Sequence, residues 1–509
     1  MCAGEIEQHA KIETLPDEIL LEIFDCFRLA LATDSEDDRS DDPSSSADPT
    51  WRPWEWHRLV HVCRRWRSLV FASSRRLDLR LVYTFNRPAR LKKKVLESWS
   101  TLPIAVWYPC QNAVRGRSVI LVDENNASFA LRYPSRIREI NLFLTSSLLS
   151  KSGAHVLASF PALEYLRLES QNSTKTTPAL PVGFLGGSTP RLRDIHLASI
   201  AFPTLPLLLL STRNLVSLRL DKISRRGYIS PEALAIGLSM TTKLQSLRIH
   251  FLPFASNVFK LTGSAERPVA TRAILPILSE FQFSGDGAYL EDLISRIDAP
   301  SLERLSITFF KPDAFETLQL SQFISRTKSL ASPHQMAILL LGDEILVVNH
   351  FYPSPLTSHF QLHITSEEIG LQVTLPHILL TRLSALLSGV QRLVMKSFLP
   401  WSPWLDPNEM ESPLWLDFFR NLKSVTRLEV TGVFVPTIES ALEQLPEDMV
   451  QRVLPALHEL HIGRGHSLGG PIQKFAEARQ SSGRPLTVHS LPAPNAHLDD
   501  VPDYFSVES

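Results

Sequence analysis

Cysteine is scarce in this chain. Cys2, Cys26, Cys63 and Cys110 are its four cysteines in 509 residues, scattered and without a C-x-x-C pair. A disulfide framework is therefore excluded, and free thiols in a reducing compartment are expected. Net charge is nearly absent too, −1 at pH 7, so no global field draws the chain to nucleic acid or to an anionic membrane. The longest apolar run, around Leu205–Leu210, is broken by Pro206 and is far too short to span a bilayer. The first residues carry Glu5, Glu7 and Glu13 and no apolar segment, so no secretory signal is expected. The glycosylation sequons at Asn126 and Asn172 are accordingly expected to be silent. No Walker loop and no G-x-G-x-x-G appears. These absences point to a protein of the cytoplasm or nucleus, with no cofactor, no metal, no nucleic-acid partner and no membrane partner.

What the chain does have is 44% hydrophobic and 21% charged residues, the balance of a folded protein. Near the N-terminus, Leu15–Phe24 reads LPDEILLEIF. Pro16, Asp17 and Glu18 suit a helix start, because proline has no N–H to leave unpaired and the acids complement the helix dipole. Ile19, Leu20, Ile23, Phe24 and Phe27 then recur at helical period as one apolar stripe. A second stretch repeats the arrangement with Trp56, Leu59, Val60, Cys63 and Trp66, with Arg64, Arg65 and Arg67 on another side. Two short helices cannot bury stripes this wide against each other alone, so part of the surface is expected to meet a partner or a following domain.

This pair of segments resembles an F-box, the helical module that docks substrate receptors onto the adaptor of cullin–RING ubiquitin ligases. The residues carrying the resemblance are the Leu15–Pro16 start, the helix through Phe24, and Val62-Cys63-Arg64-Arg65-Trp66. The resemblance implies an adaptor contact carried by Leu15, Pro16, Ile19, Leu20, Phe24, Val62, Cys63 and Trp66, divided between that surface and the module's own core. The family usually joins its helices by a short turn, whereas here an acidic, serine- and proline-rich insert fills Thr33–Thr50. Such a composition reads as a solvated disordered loop. Because closure cost grows slowly with length, the insert should be tolerated.

Beyond it, a pattern of apolar, two variable, apolar, one variable, apolar recurs. Copies begin at Ile137, Leu163, Leu192, Leu215, Leu244, Leu278, Leu302, Val390, Val425 and Leu457, with a weaker one at Met336–Leu339–Leu341. From Ile137 to Leu302 the starts are spaced by roughly 23 to 34 residues. The last two apolar positions are two apart, as one face of a strand requires. Amphipathic stretches from Pro231 and from Leu290 suit helices between strands. The pattern is similar to an irregular leucine-rich-repeat array, which implies parallel strands on a concave side and helices and loops outside. The asparagine or cysteine that regular repeats place after the strand is replaced by Gln171, Ile200, Ile223 and Leu252. An ordinary α/β domain with leucine-rich strands is the alternative.

The expected organisation is a tail at 1–11, an F-box at 12–76 with its insert, a repeat array at 77–490, and an acidic disordered tail at 491–509. Leu77, Leu79 and Leu81 alternate as a strand, Leu91–Trp99 suits a helix and Leu102–Trp107 a strand. No Gly/Ser spacer intervenes, so the helices are expected to lie directly on the first strands. The fold class is α/β: a short all-α module followed by a solenoid.

Three motifs could carry chemistry. Gly465-His-Ser-Leu-Gly469 matches the G-x-S-x-G nucleophile elbow, between a strand at Leu457–Ile462 and a helix at Pro471–Arg479. Its triad partners are missing in order, because His489 and His497 both precede Asp499, Asp500 and Asp503. The motif reads as a glycine-rich turn, and the chain as no enzyme. His57 and His61 lie one helical turn apart near Cys63, without the acid of H-E-x-x-H, and read as surface histidines. Trp401, Trp404 and Trp415, spaced by prolines, read as a surface loop pinned by buried rings.

The function that follows is that of a substrate receptor of an SCF-type ubiquitin ligase, binding the Skp-family adaptor through the F-box and a protein target through the repeats. The alternative is a repeat scaffold that recruits no ligase, with the helices as an end cap. The residue between the last two apolar positions should face the target: Arg167, His196, Arg219, Arg248, Gln282, Ser306, Glu429 and His461. The early members are basic, so an acidic or phosphorylated contact is expected there.

Overall fold

The computed structural model describes residues 12–33, 57–73, 77, 81–84, 99, 102–107, 129–144, 149, 155–170, 177–253, 272–310, 318–327, 329–330, 334–341, 344–349, 359–365, 383–397, 412–446, 449–463 and 470–491. The acidic insert beyond Thr33, the helix expected over Leu91–Trp99 (apart from Trp99) and the acidic tail beyond Leu491 lie outside them. The fold is mixed α/β, with a large, mostly parallel sheet and helices. Two compact units divide it.

The first unit spans Met1–Phe143, Ser147–Leu163 and Ala496–Ser509. It holds helices α1 (Asp17–Thr33), α2 (His57–Val60) and α3 (Arg64–Ala72), and strands β1 (Leu81–Thr84), β2 (Ile104–Trp107) and β3 (Ile137–Phe143). The three strands pair in parallel in chain order. Helices and strands meet through Phe71, whose ring lies 6.1 Å from that of Trp99. Arg136 then ties this junction to the sheet, donating from Nη2 to the Trp99 carbonyl (2.7 Å) and from Nε to the Leu102 carbonyl (3.1 Å).

The second unit, Leu144–Ser146 and Glu164–Asn495, carries the rest of the sheet. Its strands are β4 (Tyr165–Glu169), β5 (Asp194–Ala198), β6 (Ser217–Ile223), β7 (Ser246–Phe251), β8 (Ala273–Ile274), β9 (Glu280–Gly285), β10 (Ile297–Asp298), β11 (Arg304–Phe309), β12 (Gln335–Leu341), β13 (Glu344–Val348), β14 (Phe360–Thr365), β15 (Arg392–Ser397), β16 (Arg427–Val430), β17 (Glu459–Ile462) and β18 (Thr487–Ser490). Helices between them include α4 (Leu205–Leu209), α5 (Pro231–Leu238), α6 (Gly287–Ser295), α7 (Leu318–Arg326), α8 (Ser384–Leu387), α9 (Ser412–Asn421), α10 (Phe434–Glu443) and α11 (Gly470–Ser481). Helix α5 starts at Pro231 as the sequence suggests, with the Ser230 side chain accepting from the Ala233 N–H. Helix α6 is capped by Asp286, which accepts from Ala288 and Tyr289.

In the sheet the order runs β4-β5-β6-β7-β9-β11-β14-β13-β12-β15-β16-β17-β18, while β8 and β10 form a separate small pair. The parallel series breaks once. Strand β13 pairs antiparallel with both β12 and β14, and the three enter in reversed order. The sequence copy at Met336–Leu341 is thus a strand of a meander, and the all-parallel expectation fails in this stretch. Its continuous apolar runs, Met336–Leu340 and Ile345–Val348, are buried on both faces, and a two-residue period cannot set direction in such runs.

Elsewhere the expected triplets lie inside. In β4–β7 and β9 the strand pattern alternates buried and half-buried positions, and the apolar residue three before each pair is buried as well. A recurring joint aligns the units: the carbonyl just before one strand accepts two successive N–H groups of the next. Arg193 accepts from Val216 and Ser217, Val216 from Gln245 and Ser246, and Gln245 from Ser279 and Glu280. A second feature repeats in the turns before the strands. Thr189, Thr212, Thr241 and Thr327 each stand three residues before a buried leucine and are themselves buried. Thr212 and Thr241 donate their hydroxyls to the carbonyls of Leu209 and Leu238, satisfying groups at a helix end.

At the end of β16 the chain turns through Gly432, whose φ is +66°. A Cβ there would stand 2.8 Å from the Ser397 carbonyl oxygen. Gly432→Ala is therefore expected to lower stability by about 1–3 kcal/mol, from the left-handed backbone and the close approach together. Urea denaturation of both forms checks this, and an unchanged midpoint would contradict it.

Candidate functional site

Two surfaces carry the residues singled out by sequence, one in each unit. In the first, a 3-10 turn at Ile12–Thr14 leads into α1, and the Leu20 N–H reaches the Pro16 carbonyl at 3.1 Å. Pro16 thus stands immediately before the helix, with Asp17 and Glu18 in its first turn. One side of α1 buries Leu20 and Phe24, the latter 1% exposed, while Ile19 stays 47% exposed. Ile23, one turn beyond Ile19, is 37% exposed and continues that outward edge. The i, i+4 spacing of the two isoleucines was visible in the sequence, yet Ile23 was not among the site residues.

Helix α2 buries Leu59 and Val60, and Val62, which follows it, is 59% exposed. Cys63 begins α3: its extended backbone lets Sγ accept from the Trp66 N–H at 3.4 Å, a weak cap. Trp66 meets Phe24 edge to face, with ring centroids 4.8 Å apart. Arg65 joins the two helix starts, reaching Asp17 at 2.6 Å and the Leu15 carbonyl at 2.6 Å. That ion pair is exposed, so its worth is at most about 1 kcal/mol and its role is alignment. The structure therefore buries Leu20 and Phe24 and brings Phe24 against the half-buried Trp66. Ile19, Pro16, Val62 and Cys63 are left outside, and Leu15 is half-buried under Arg65.

In the second unit, Arg167, His196, Arg219, Arg248, Gln282 and Ser306 are register partners on β4, β5, β6, β7, β9 and β11. They form one row on the half-buried face, as the alternation predicts. Glu429 and His461 form a separate row with His489 on β16–β18, beyond the antiparallel meander.

The expectation of a basic early row needs correction. Two residues further along the strands, Glu169 on β4 and Asp221 on β6 stand on the same face. Arg167 reaches Glu169 at 2.7 Å, and Asp221 holds both His196 (3.0 Å) and Arg248 (2.9 Å). A period of two places residues i and i+2 on the same face, so Glu169 and Asp221 neutralise charges that looked free when one row was read alone. Burial by itself pushes the Asp221 carboxyl up. The His196 hydrogen bond and the charges of Arg248, His196 and His250 outweigh it and hold the carboxyl below its ordinary value. Burial likewise depresses His250, with Asp221 opposing.

Asp221 is thus easier to ionise in the folded chain than in the unfolded one. It contributes stability above its unfolded pKa and loses that contribution as pH falls through the folded value. The stability gap between wild type and Asp221→Asn is expected to be present at about pH 5 and to close well below 3.8. Thermal melts of both proteins across that range check it; a gap independent of pH would contradict it.

In the late row, Glu429 is buried and paired with Lys396 at 2.8 Å. His461 and His489 stack at 4.7 Å, and His461 approaches Glu459 at 3.3 Å. His489 therefore faces His461. Ser467 lies outside the described residues, although the strand before it (β17) and the helix after it (α11) stand as expected. Trp415 is fully buried on a helix among Phe418, Phe419 and Phe434, in place of the expected loop. Trp401 and Trp404 lie outside the described residues. His61 is exposed, and among the described residues no cluster of three or more His, Cys, Asp or Glu could hold a metal ion. Among them, too, no helix is long and apolar enough to cross a membrane. No protein-family model and no curated protein matches the chain.

Proposed function

We propose that the chain is the substrate-recognition subunit of an SCF-type cullin–RING ubiquitin ligase. Its F-box-like helices dock the Skp-family adaptor, and its sheet, built as an irregular leucine-rich-repeat solenoid, holds a protein target. The observation that carries the adaptor half is the division of the α1 stripe: Phe24 closes on Trp66 and Leu20 is buried, while Ile19 and Ile23, and Val62 after α2, remain outside. A helix pair that needed these side chains only for its own core would have buried them. For the repeat, support comes from the triplets and from the carbonyl joint that recurs between strands.

On this reading the protein performs no chemistry. It holds a target near a ubiquitin-loaded enzyme, and the rate gain is proximity supplied by the assembly. Its place is the cytoplasm or nucleus, where such ligases work. The scaffold alternative has one observation in its favour: the helices and β1–β3 share a compact unit, joined through Phe71 and Trp99, as an end cap would be. Co-expression of the full chain with a tagged Skp-family adaptor separates the two. Co-elution on size exclusion supports the ligase reading, and separate elution supports the cap.

A further inference from the structure

We propose that the polar face of β4–β7 takes one carboxylate side chain of a peptide partner at Arg219. The proposal rests on the target-binding half of the function above and is independent of the adaptor half. Arg219 sits at the centre of the early row, between His196 and Arg248. Its neighbours are already engaged, Arg167 with Glu169 and both His196 and Arg248 with Asp221. Arg219, half-buried on the same face, makes no ion pair or hydrogen bond with any described residue. A guanidinium offers five donors in a planar fork that matches a carboxylate. Asp221, two residues along the same strand, is held by His196 and Arg248, and the other nearby acid is Asp194, on β5 one row earlier. Burial holds its carboxyl above the ordinary value, and Arg193 and Arg219 offset that only in part. It is a weak rival for an incoming carboxylate.

Charge balance decides which anion fits. Arg167, Arg219 and Arg248 stand against Glu169, Asp194, Asp221 and Glu280, so the face has no surplus of positive charge. Arg219 alone of these three guanidinia makes no ion pair or hydrogen bond with a described residue, and the fork it presents fits a single carboxylate. A phosphate dianion would bring twice the charge beside these acids, and a nucleic-acid backbone would bring more still. Ser217, in the row before, supplies an uncharged hydrogen-bonding group alongside, while its register partner Ser246 donates to Glu280. The partner is therefore a peptide segment with one Asp or Glu set among uncharged polar residues. It is not a phosphorylated one.

Selection of short random peptides on the immobilised full-length chain tests this. The wild type is expected to enrich sequences with Asp or Glu at a fixed position. Arg219→Gln should weaken the selected peptide at least about tenfold. Arg219→Glu should select Lys or Arg at that position, a swap that a purely structural role would not produce. The proposal is overturned if no peptide is enriched or if the enriched peptides lack an acid. It is equally overturned if Arg219→Gln and Arg219→Glu keep the same peptides, or if a phosphoserine form binds more tightly than the carboxylate parent. Adaptor binding is measured on the same preparations. Its loss with peptide selection intact removes the ligase reading alone, and the converse removes this proposal alone.

Discussion

Ile19→Asp combined with Val62→Asp is expected to abolish capture of the Skp-family adaptor while leaving the melting curve of the chain unchanged. Both side chains point outward, at 47% and 59% exposure, so neither supports the fold. Exposed substitutions of this kind usually stay within about 0.5 kcal/mol of neutral. In a complex, burying each large apolar side chain is worth roughly 1.5–3 kcal/mol, and two aspartates would place unpaired charge in the interface. The sum corresponds to a loss of at least about a hundredfold in affinity. Phe24→Ala is the contrasting case. Its ring is buried against Trp66, and its removal should destabilise the helix pair by about 3–5 kcal/mol. Calorimetric binding and circular dichroism on the same samples separate the two effects. If the outward pair changed stability and not binding, the assignment of surface and core would be reversed.

Arg479→Leu carries the second large effect, this time on the fold. Arg479 lies on α11 and is 2% exposed, and it has no carboxylate partner among the described residues. Its guanidinium instead donates to backbone carbonyls, from Nη1 to Leu454 (3.0 Å) and from Nη2 to Leu457 (2.9 Å), with longer contacts to Val453 and Pro455. Phe475 lies under the guanidinium at 5.7 Å. These carbonyls belong to the turn entering β17, where Leu454 adopts a left-handed backbone. Leucine would fill the space and leave the acceptors buried and unpaired, at about 1–3 kcal/mol for each that water cannot reach. A total near 3–5 kcal/mol is expected, concentrated in the last strands. Amide hydrogen exchange over 449–463 should accelerate at least about a hundredfold. Arg479→Lys should recover only part of the protection, since one ammonium cannot span the same carbonyls. Unchanged exchange in the leucine variant would show that the turn holds itself.

How far the sequence spoke depended on whether the interaction was local. Leu163–Leu166–Leu168 and its copies were legible because alternation along one strand encodes burial directly. Pro231 and the Leu290 region announced helices through the same local periodicity. Residues facing one another across strands were harder. Arg167, His196, Arg219 and Arg248 look like a basic strip in the sequence, yet Asp221 reaches His196 and Arg248 only once β5, β6 and β7 are set in register. The β12–β14 meander hid for a related reason: Ile345–Val348 is apolar on both faces and carries no directional mark. Arg479 gave no signal at all. It stands in Glu477-Ala-Arg-Gln480, a run that reads as a solvated helix face, and only the fold brings four carbonyls to it.

The most direct measurement of the central claim is a calorimetric titration of the full-length chain with purified Skp-family adaptor. A saturable one-to-one isotherm with Kd of about 1 μM or tighter is predicted, and it should vanish in the Ile19→Asp/Val62→Asp variant. No heat of binding by the folded wild-type chain at tens of micromolar adaptor, roughly ten times that Kd, would contradict it.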